Sequence, residues 1–524
     1  MLYKLNRSLK SVFWKKEQEK KLVKLFQSCA KNIPAYRNFL KKNGIQAAAI
    51  AGIKTYDDFR TIVPAMGKDN YLRAYSWEDL CNPSALILES LVLTSTSGST
   101  GTPFYFPRNG SVDMHSSVYH EMFLRNSGII GEKTGQKKIT KKKADQSTLI
   151  IVCFGMGVWI GGVITYQAFH YVADRGYPLT IITPGVNKKE IYDALKNVGQ
   201  KYDQIILCAY PPFMKDVVDE AAENGVHWRD FNIKMLFAAE SFSEKFRDYI
   251  LEKTGMTNPY RNTASVYGSA DLGTMAMETP IAILIRRLVL QKTPVAGRLY
   301  KKLFGEAGRL PTLAQYIPSF TNFETVGKNV YLSGDNAMPL VRYEIGDNGG
   351  THYFAEVEKM FAEEGINLRA EAKKVGIVDT VVELPFVYIY ERTDLSTKLY
   401  GAIIYPEYIK HGLQHDELED YVTGKFTMFT KHDKEQNEFL EINVEMKKSV
   451  TVSSSLQKIV AERIHIALIK QSAEHANNFS MLKDKVKLRL VFWPHEHPLH
   501  FQLGAKQKWV KKAPVKKVSE KIKK

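Results

Sequence analysis

The sequence predicts an α/β protein: a large N-terminal domain with mixed sheets covered by helices, followed by a small α+β C-terminal domain. Three observations carry that expectation. Strand-like apolar runs at 147–154, 179–184, 204–210 and 233–240 alternate with stretches of helical spacing, which favours a largely parallel core sheet covered on both faces. A chain of 524 residues is longer than one hydrophobic core usually serves. A composition change after Leu384 opens a second series of strands and helices, so the expected domains are 1–390 and 391–524.

The elements follow in order. "KLVKLFQSCAKNIPAYRNFLKKNGI" has apolar residues at helical spacing and is interrupted at Pro34. From Leu91, "LVLTSTSGSTGTPFYF" reads as strand, small residues and strand, which predicts a hairpin with a hydroxyl-glycine tip. "VWIGGVITYQAFHYVADRG" and "PPFMKDVVDEAAENG" suit amphipathic helices between the parallel strands. Beyond 384 come a strand, a polar joint, another strand and a helix. "LEINVEMKK", a long helix from about Ser455 and the strand "KVKLRLVFW" complete the small domain.

Composition narrows the class. Cys29, Cys81, Cys153 and Cys208 lack CxxC spacing, which argues against a disulfide scaffold or a structural zinc site and for a reducing compartment. No secretory signal is evident at the start, and the apolar run "PIAILIRRLVL" is broken by Arg286 and Arg287 and is too short to span a bilayer. The expectation is a soluble cytoplasmic protein, with a homodimer as the default assembly. Net charge is +17, concentrated in a Lys-rich insertion at 131–146 and in the basic tail. Neither run interleaves aromatics as a base-stacking surface needs, apart from Trp509, so nucleic acid is disfavoured. A polyanionic small molecule would gain from the same field.

The hydroxyl-glycine turn is the sharpest chemical signal. No Walker-type P-loop occurs. Gly98 and Gly101 permit close backbone approach, and successive N–H groups with the hydroxyls of Ser97, Ser99 and Thr100 would form an anion nest. Gly155, Gly157 and Gly161 hint at a dinucleotide fingerprint, but the spacing is G-x-G-x-x-x-G and no acid ends the next strand. That segment instead suggests an acid pocket with Phe154, Trp159, Tyr210 and Pro211 as walls, core packing being the alternative. His495, His497 and His500 lie close together without a Cys or HExxH partner, so an exposed loop is the plainer reading than a metal site. No G-x-S-x-G or Cys–His arrangement points to a hydrolase.

"TSTSGSTGTP" resembles the phosphate-binding signature of the adenylate-forming superfamily, in its phenylacetate–CoA ligase-like branch with CapK-type relatives. Further segments follow in that family's order: "IPAYRNFLKKNGI", "LFAAESFSEKFRDYILEKTG" with Ser243 as a helix cap, "SVYGSADLG", "MPLVRYEIGDNGG", "ERTDLSTKLYGAIIYPEYIK" and "FQLGAKQKWV". The resemblance implies activation of a small carboxylic acid by ATP and Mg²⁺ to an acyl-adenylate, followed by thioester formation with coenzyme A. It assigns Thr96, Ser97, Gly98, Ser99, Thr100 and Gly101 to the phosphates. Ala238, Ala239, Glu240, Tyr267 and Gly268 would surround adenine, while Asp347 and Arg392 would hold the ribose. Asp271 would hold Mg²⁺, Asp394 would be the hinge, and Lys506 would be the catalytic lysine. Phe104 stands where many members have Lys, Ala270 where they have a hydroxyl, Asp271 where they have Glu, and "GAK" stretches the usual "GK" so that Lys508 competes with Lys506. Two other readings therefore stay open: a CapK-like enzyme of polysaccharide or natural-product assembly, and a nucleotide-binding homologue with weakened catalysis.

Overall fold

The computed structural model describes residues 8–95, 104–128, 147–157, 160–305, 310–392, 396–413, 415–448, 450–495, 497 and 500–501. These fall into two compact units, a large one that runs to Glu391 and a small one from Arg392.

Helix α1 (Ser11–Asn32) stops because Pro34 opens α2 (Pro34–Lys42), where the missing N–H costs nothing. Strands β1 (Leu91–Ser95) and β2 (Tyr105–Asn109) form a two-stranded antiparallel ribbon with Ser95 opposite Tyr105, so the hydroxyl-glycine segment is the connection at its tip. Helix α3 (Gly110–Asn126) follows directly.

Strand β3 (Thr148–Cys153) is buried at every position, as is β5 (Gln204–Ala209), because helices cover both faces. Between them lie α4 (Ile160–Asp174), the edge strand β4 (Leu179–Ile182) and α5 (Lys188–Val198). Helix α6 (Pro211–Asp219) leads to β6 (Ile233–Ala238), and α7 (Glu244–Thr254) to β7 (Thr263–Ser269). All five of these strands run parallel with their neighbours. The sheet then changes direction. Strand β8 (Gly273–Met277) is antiparallel to β7, and after α8 (Pro280–Val289) and α9 (Pro294–Phe304) come β9 (Thr312–Gln315), β10 (Thr321–Val326), β11 (Asn329–Gly334) and β12 (Leu340–His352). Helix α10 (Phe354–Glu363) precedes β13 (Phe386–Arg392). The result is one eleven-stranded mixed sheet in the order β10–β11–β12–β13–β9–β8–β7–β6–β5–β3–β4. The expected parallel sheet is thus only one half of it, because β8 turns back after a short connection that no crossover helix could fill.

The small unit pairs β14 (Thr397–Leu399) with β15 (Ala402–Ile404) and stacks helices α11 (Pro406–Leu413), α12 (Ser454–Gln471) and α13 (Ala473–Leu482) beside a sheet of β16 (Val422–His432), β17 (Glu438–Met446) and β18 (Arg489–Trp493). Helices α11 and α12 cross so closely that a Cβ on Gly412 would stand 2.5 Å from Ile464 Cα. No described helix is long and apolar enough to cross a membrane.

The four cysteines are buried and unpaired, and burial raises every thiol pKa, that of Cys81 to about 12. Native protein is therefore expected to leave Ellman's reagent unreacted and to release all four thiols once unfolded in guanidinium.

Each unit also encloses a neutral histidine. In the large one, His120 is buried with Nδ1 2.8 Å from Ser116 O and Nε2 without a partner among the described residues. In the small one, His475 is buried with neither ring nitrogen bonded among the described residues. Burial pushes both down to about 4, with His465 adding to the effect on His475. The unfolded chain takes up these protons near pH ~6.5, before the folded one does. Their stabilisation is therefore complete above that pH and declines as pH falls toward 4, by about 1.4 kcal/mol per pH unit each. Denaturant midpoints between pH 7 and pH 4.5 should fall accordingly, and H120Q should lessen the decline in the large unit alone, where burial pushes His115 down to about 4 as well.

Candidate active site

The site grows from the carboxyl ends of β6 and β7, where the sheet changes from parallel to antiparallel. Ligands in open α/β sheets gather at this edge. Strand β6 ends at Ala238, and Ala239 turns out of the sheet with φ +71°, a left-handed conformation for a residue with a Cβ. Glu240 is buried after it, and Ser243 caps α7 by accepting from Phe246 N at 3.1 Å.

Ala238 pairs with Val266, which brings Tyr267 and Gly268 alongside. The β7–β8 register slips between these two residues, and a Cβ on Gly268 would stand 2.6 Å from Gly273 O. Only glycine closes this turn. Tyr267 packs on the core beside Phe323, ring centres 6.1 Å apart, and its Oη donates to Asp347 Oδ2 at 2.5 Å. Asp347 is buried on β12. Thr94, at the root of the hydroxyl-glycine turn, donates to Ala270 O at 3.3 Å. Three segments distant in sequence thus meet: the ribbon β1–β2, the turn after β7, and β12.

Asp271 is buried beside this junction, and its Oδ1 has no hydrogen-bond partner among the described residues. A buried carboxylate oxygen without such a partner suits a hard cation such as Mg²⁺. Ala270 packs its methyl against the core. Phe104 does likewise, 4.8 Å from Phe106, where a lysine would have needed solvent or an anion.

Phe154 and Tyr210 follow β3 and β5 at the same edge and meet edge-to-face at 5.0 Å; Phe154 is fully enclosed, and Pro211 opens α6. Among the remaining candidates, Thr96, Ser97, Gly98, Ser99, Thr100, Gly101, Trp159, Asp394, Lys506 and Lys508 lie outside the described residues. Arg392 is described by its backbone alone, as the last residue of β13. Among the described residues no group of His, Cys, Asp and Glu forms a metal cluster, and this includes His495, His497 and His500.

Sequence reasoning missed the ion network behind this wall. Arg247 on α7 is fully buried and donates to Glu244 Oε2 (2.9 Å), Glu278 Oε1 (2.8 Å) and Thr263 Oγ1 (2.5 Å). Arg286 on α8 reaches Glu278 Oε1 (2.7 Å) and Phe242 O (2.7 Å), and so holds the loop between β6 and α7. Burial opposes the charge on Glu244, but Arg247, Arg286 and Arg287 outweigh it and hold the carboxyl below its usual range. The available signal was the pair of arginines inside "PIAILIRRLVL": two charges in an apolar helix call for buried partners. Replacing Arg247 with Met removes the cation shared by Glu278 and Glu244 and leaves Arg286 and Arg287 to balance both carboxylates. R247M is expected to cost the large unit about 3–5 kcal/mol, read as a lower denaturant midpoint by tryptophan fluorescence.

No family model matches the sequence, and no curated protein matches it. Among solved structures, the chain is similar to 2-hydroxyisobutyryl-CoA ligase in complex with 2-HIB-AMP and CoA in the thioesterification state. That likeness has 15% identity and a TM-score of 0.60, and covers 94% of this chain and 89% of the other. The same ligase in its postadenylation state gives 14% identity and a TM-score of 0.51 over 97% and 91% of the two chains. At these identities the likeness shows the fold alone: a large mixed α/β domain with a smaller C-terminal domain.

Proposed function

We propose that this chain joins a carboxylic acid to the α-phosphorus of ATP, forming an acyl-adenylate, and then transfers the acyl group to coenzyme A. The observation that supports this best is the Tyr267–Asp347 contact at 2.5 Å, with the Thr94–Ala270 bond beside it. A flat ring, a carboxylate and the root of a hydroxyl-glycine turn are the three things a nucleotide needs. The ring stacks on the base, the carboxylate accepts from both ribose hydroxyls, and the turn donates to phosphate oxygens. The similar ligase holds an acyl-adenylate and CoA together, which supports the thiol as acceptor.

In the first step a carboxylate oxygen attacks the α-phosphorus, the bond to the bridging oxygen breaks, and pyrophosphate departs. Both partners are anions, so the site must supply donors and cations rather than a base. The turn at 96–101 would hold the β- and γ-phosphates, and Lys506 would reach the carboxylate and α-phosphate oxygens. Asp271 would hold Mg²⁺, which offsets phosphate charge when bound. In the second step the thiolate attacks the acyl carbon and AMP leaves. Asp394 would be the pivot that withdraws Lys506 before the thiol enters.

A second reading has one observation in its favour. Ala270 offers a core-packed methyl where the resembled family has a hydroxyl, as in a nucleotide-binding homologue with weak catalysis. ATP–pyrophosphate exchange across aromatic, fatty and hydroxy acids separates the two. The ligase predicts exchange with at least one acid, lost in K506A and retained in K508A. D347A should lower kcat/KM for ATP by ~100-fold, while Y267F keeps the ring and raises KM by ~10-fold. ATP binding by calorimetry without exchange favours the weakened homologue, and no ATP binding overturns both.

A further inference from the structure

Helix α1 turns Trp14, Gln18, Leu22, Phe26 and Cys29 into the core. Its outer side runs Phe13, Lys16, Lys20, Lys24, Gln27 and Lys31, all exposed, at the three- and four-residue spacing that forms one straight stripe. Helix α2 continues it with exposed Arg37, Lys41 and Lys42. Between Val12 and Lys42 every exposed charge is positive. The two acids in that span are half-buried: Glu17 accepts from Ser319 Oγ at 3.2 Å, and Glu19 acts on the hydroxyl of Tyr353.

This arrangement weakens the helix that carries it. Lys16, Lys20 and Lys24 are successive like-charged neighbours four residues apart, and none has an ion-pair partner among the described residues. A polyanionic surface laid along the stripe would turn that repulsion into attraction. Val12 and Phe13 head the same helix with relative exposures of 65% and 42%. An aliphatic and an aromatic side chain held in water beside lysines suit the boundary between lipid headgroups and acyl chains. Nucleic acid could use the lysines and stack a base on Phe13, but it gives the more exposed aliphatic Val12 no apolar partner, which a bilayer does.

We propose that the outer face of α1 and α2 docks the protein on an anionic lipid bilayer. Lys16, Lys20, Lys24 and Lys31 lie over the headgroups, and Val12 and Phe13 enter the acyl boundary. The helix, 22 residues and ~33 Å long, lies on the surface with its outer face and does not cross it. This docking is independent of the reaction at the sheet edge.

The test is sedimentation of the full chain with vesicles of phosphatidylcholine alone and with one-third phosphatidylglycerol, at low and high salt. Binding is expected to the anionic vesicles only and to weaken with salt. The triple variant K16E/K20E/K24E should lower the partition coefficient by at least ~100-fold, and F13S by ~10-fold, with unchanged thermal melts. If the reversals alter melting, K16Q/K20Q/K24Q replaces them. Absence of binding to anionic vesicles overturns the proposal. So does binding that ignores the three lysines, since other basic segments would then be responsible. Tighter binding to single-stranded RNA through the same lysines would mark a nucleic-acid face and overturn the lipid assignment.

Discussion

Arg247 is enclosed completely, and its guanidinium bonds three segments at once: Glu244 in its own helix, Thr263 at the start of β7, and Glu278 just past β8. Removing so many charges from water is costly, and only close pairing on several sides recovers that cost. The geometry is correspondingly constrained. With Arg286 bonded to both Glu278 and Phe242 O, the loop after β6 and the strands on either side of Tyr267 share one rigid anchor. The orientation of Tyr267, and through it the contact with Asp347, depends on strands whose far ends this network fixes.

Local chemistry made much of the large unit readable. The buried strands β3 and β5 are continuous aliphatic runs, Pro34 divides α1 from α2, and Ser243 caps α7 with its own hydroxyl. The ribbon β1–β2 follows from two strand-like segments around small residues. Each of these is decided within a few residues, where propensity and capping act. The antiparallel half of the sheet was not readable in this way. A short strand such as β9 joins β8 through the pair Met277–Gln315 and is positioned by distant partners, with Gln315 bonded to Thr279, Val382 and Leu384. The left-handed backbone of Arg342, φ +50°, is likewise held by its reach to Arg60 O and Val63 O, far away in sequence.

The candidate site divides along the same line. Its segments announce themselves by residue type: a hydroxyl-glycine turn, a Tyr-Gly pair, an acid in a glycine-flanked stretch. Their meeting does not, because Tyr267 and Asp347 are eighty residues apart in the chain. The resemblance grouped them by role, whereas the hydrogen bond between them is a property of packing. The same distinction explains Phe104 and Ala270. Each departs from the resembled pattern, and each is partly buried against the core.

The ribbon β1–β2 forms its own two-stranded sheet, apart from the eleven-stranded one. Its attachments involve side chains and include Thr94 to Ala270, Trp77 to Tyr105 O at 2.8 Å, Asn109 to Asn336 and Glu89, and the buried pair Arg108–Asp113 at 2.6 Å. Shifting it would break a handful of such bonds and no rung of the large ladder. The ribbon that carries the hydroxyl-glycine turn is therefore held to its surroundings by side chains, Phe106 in the core and the buried Arg108–Asp113 pair among them, whereas the strands around Tyr267 are held by the backbone ladder and by buried ions as well.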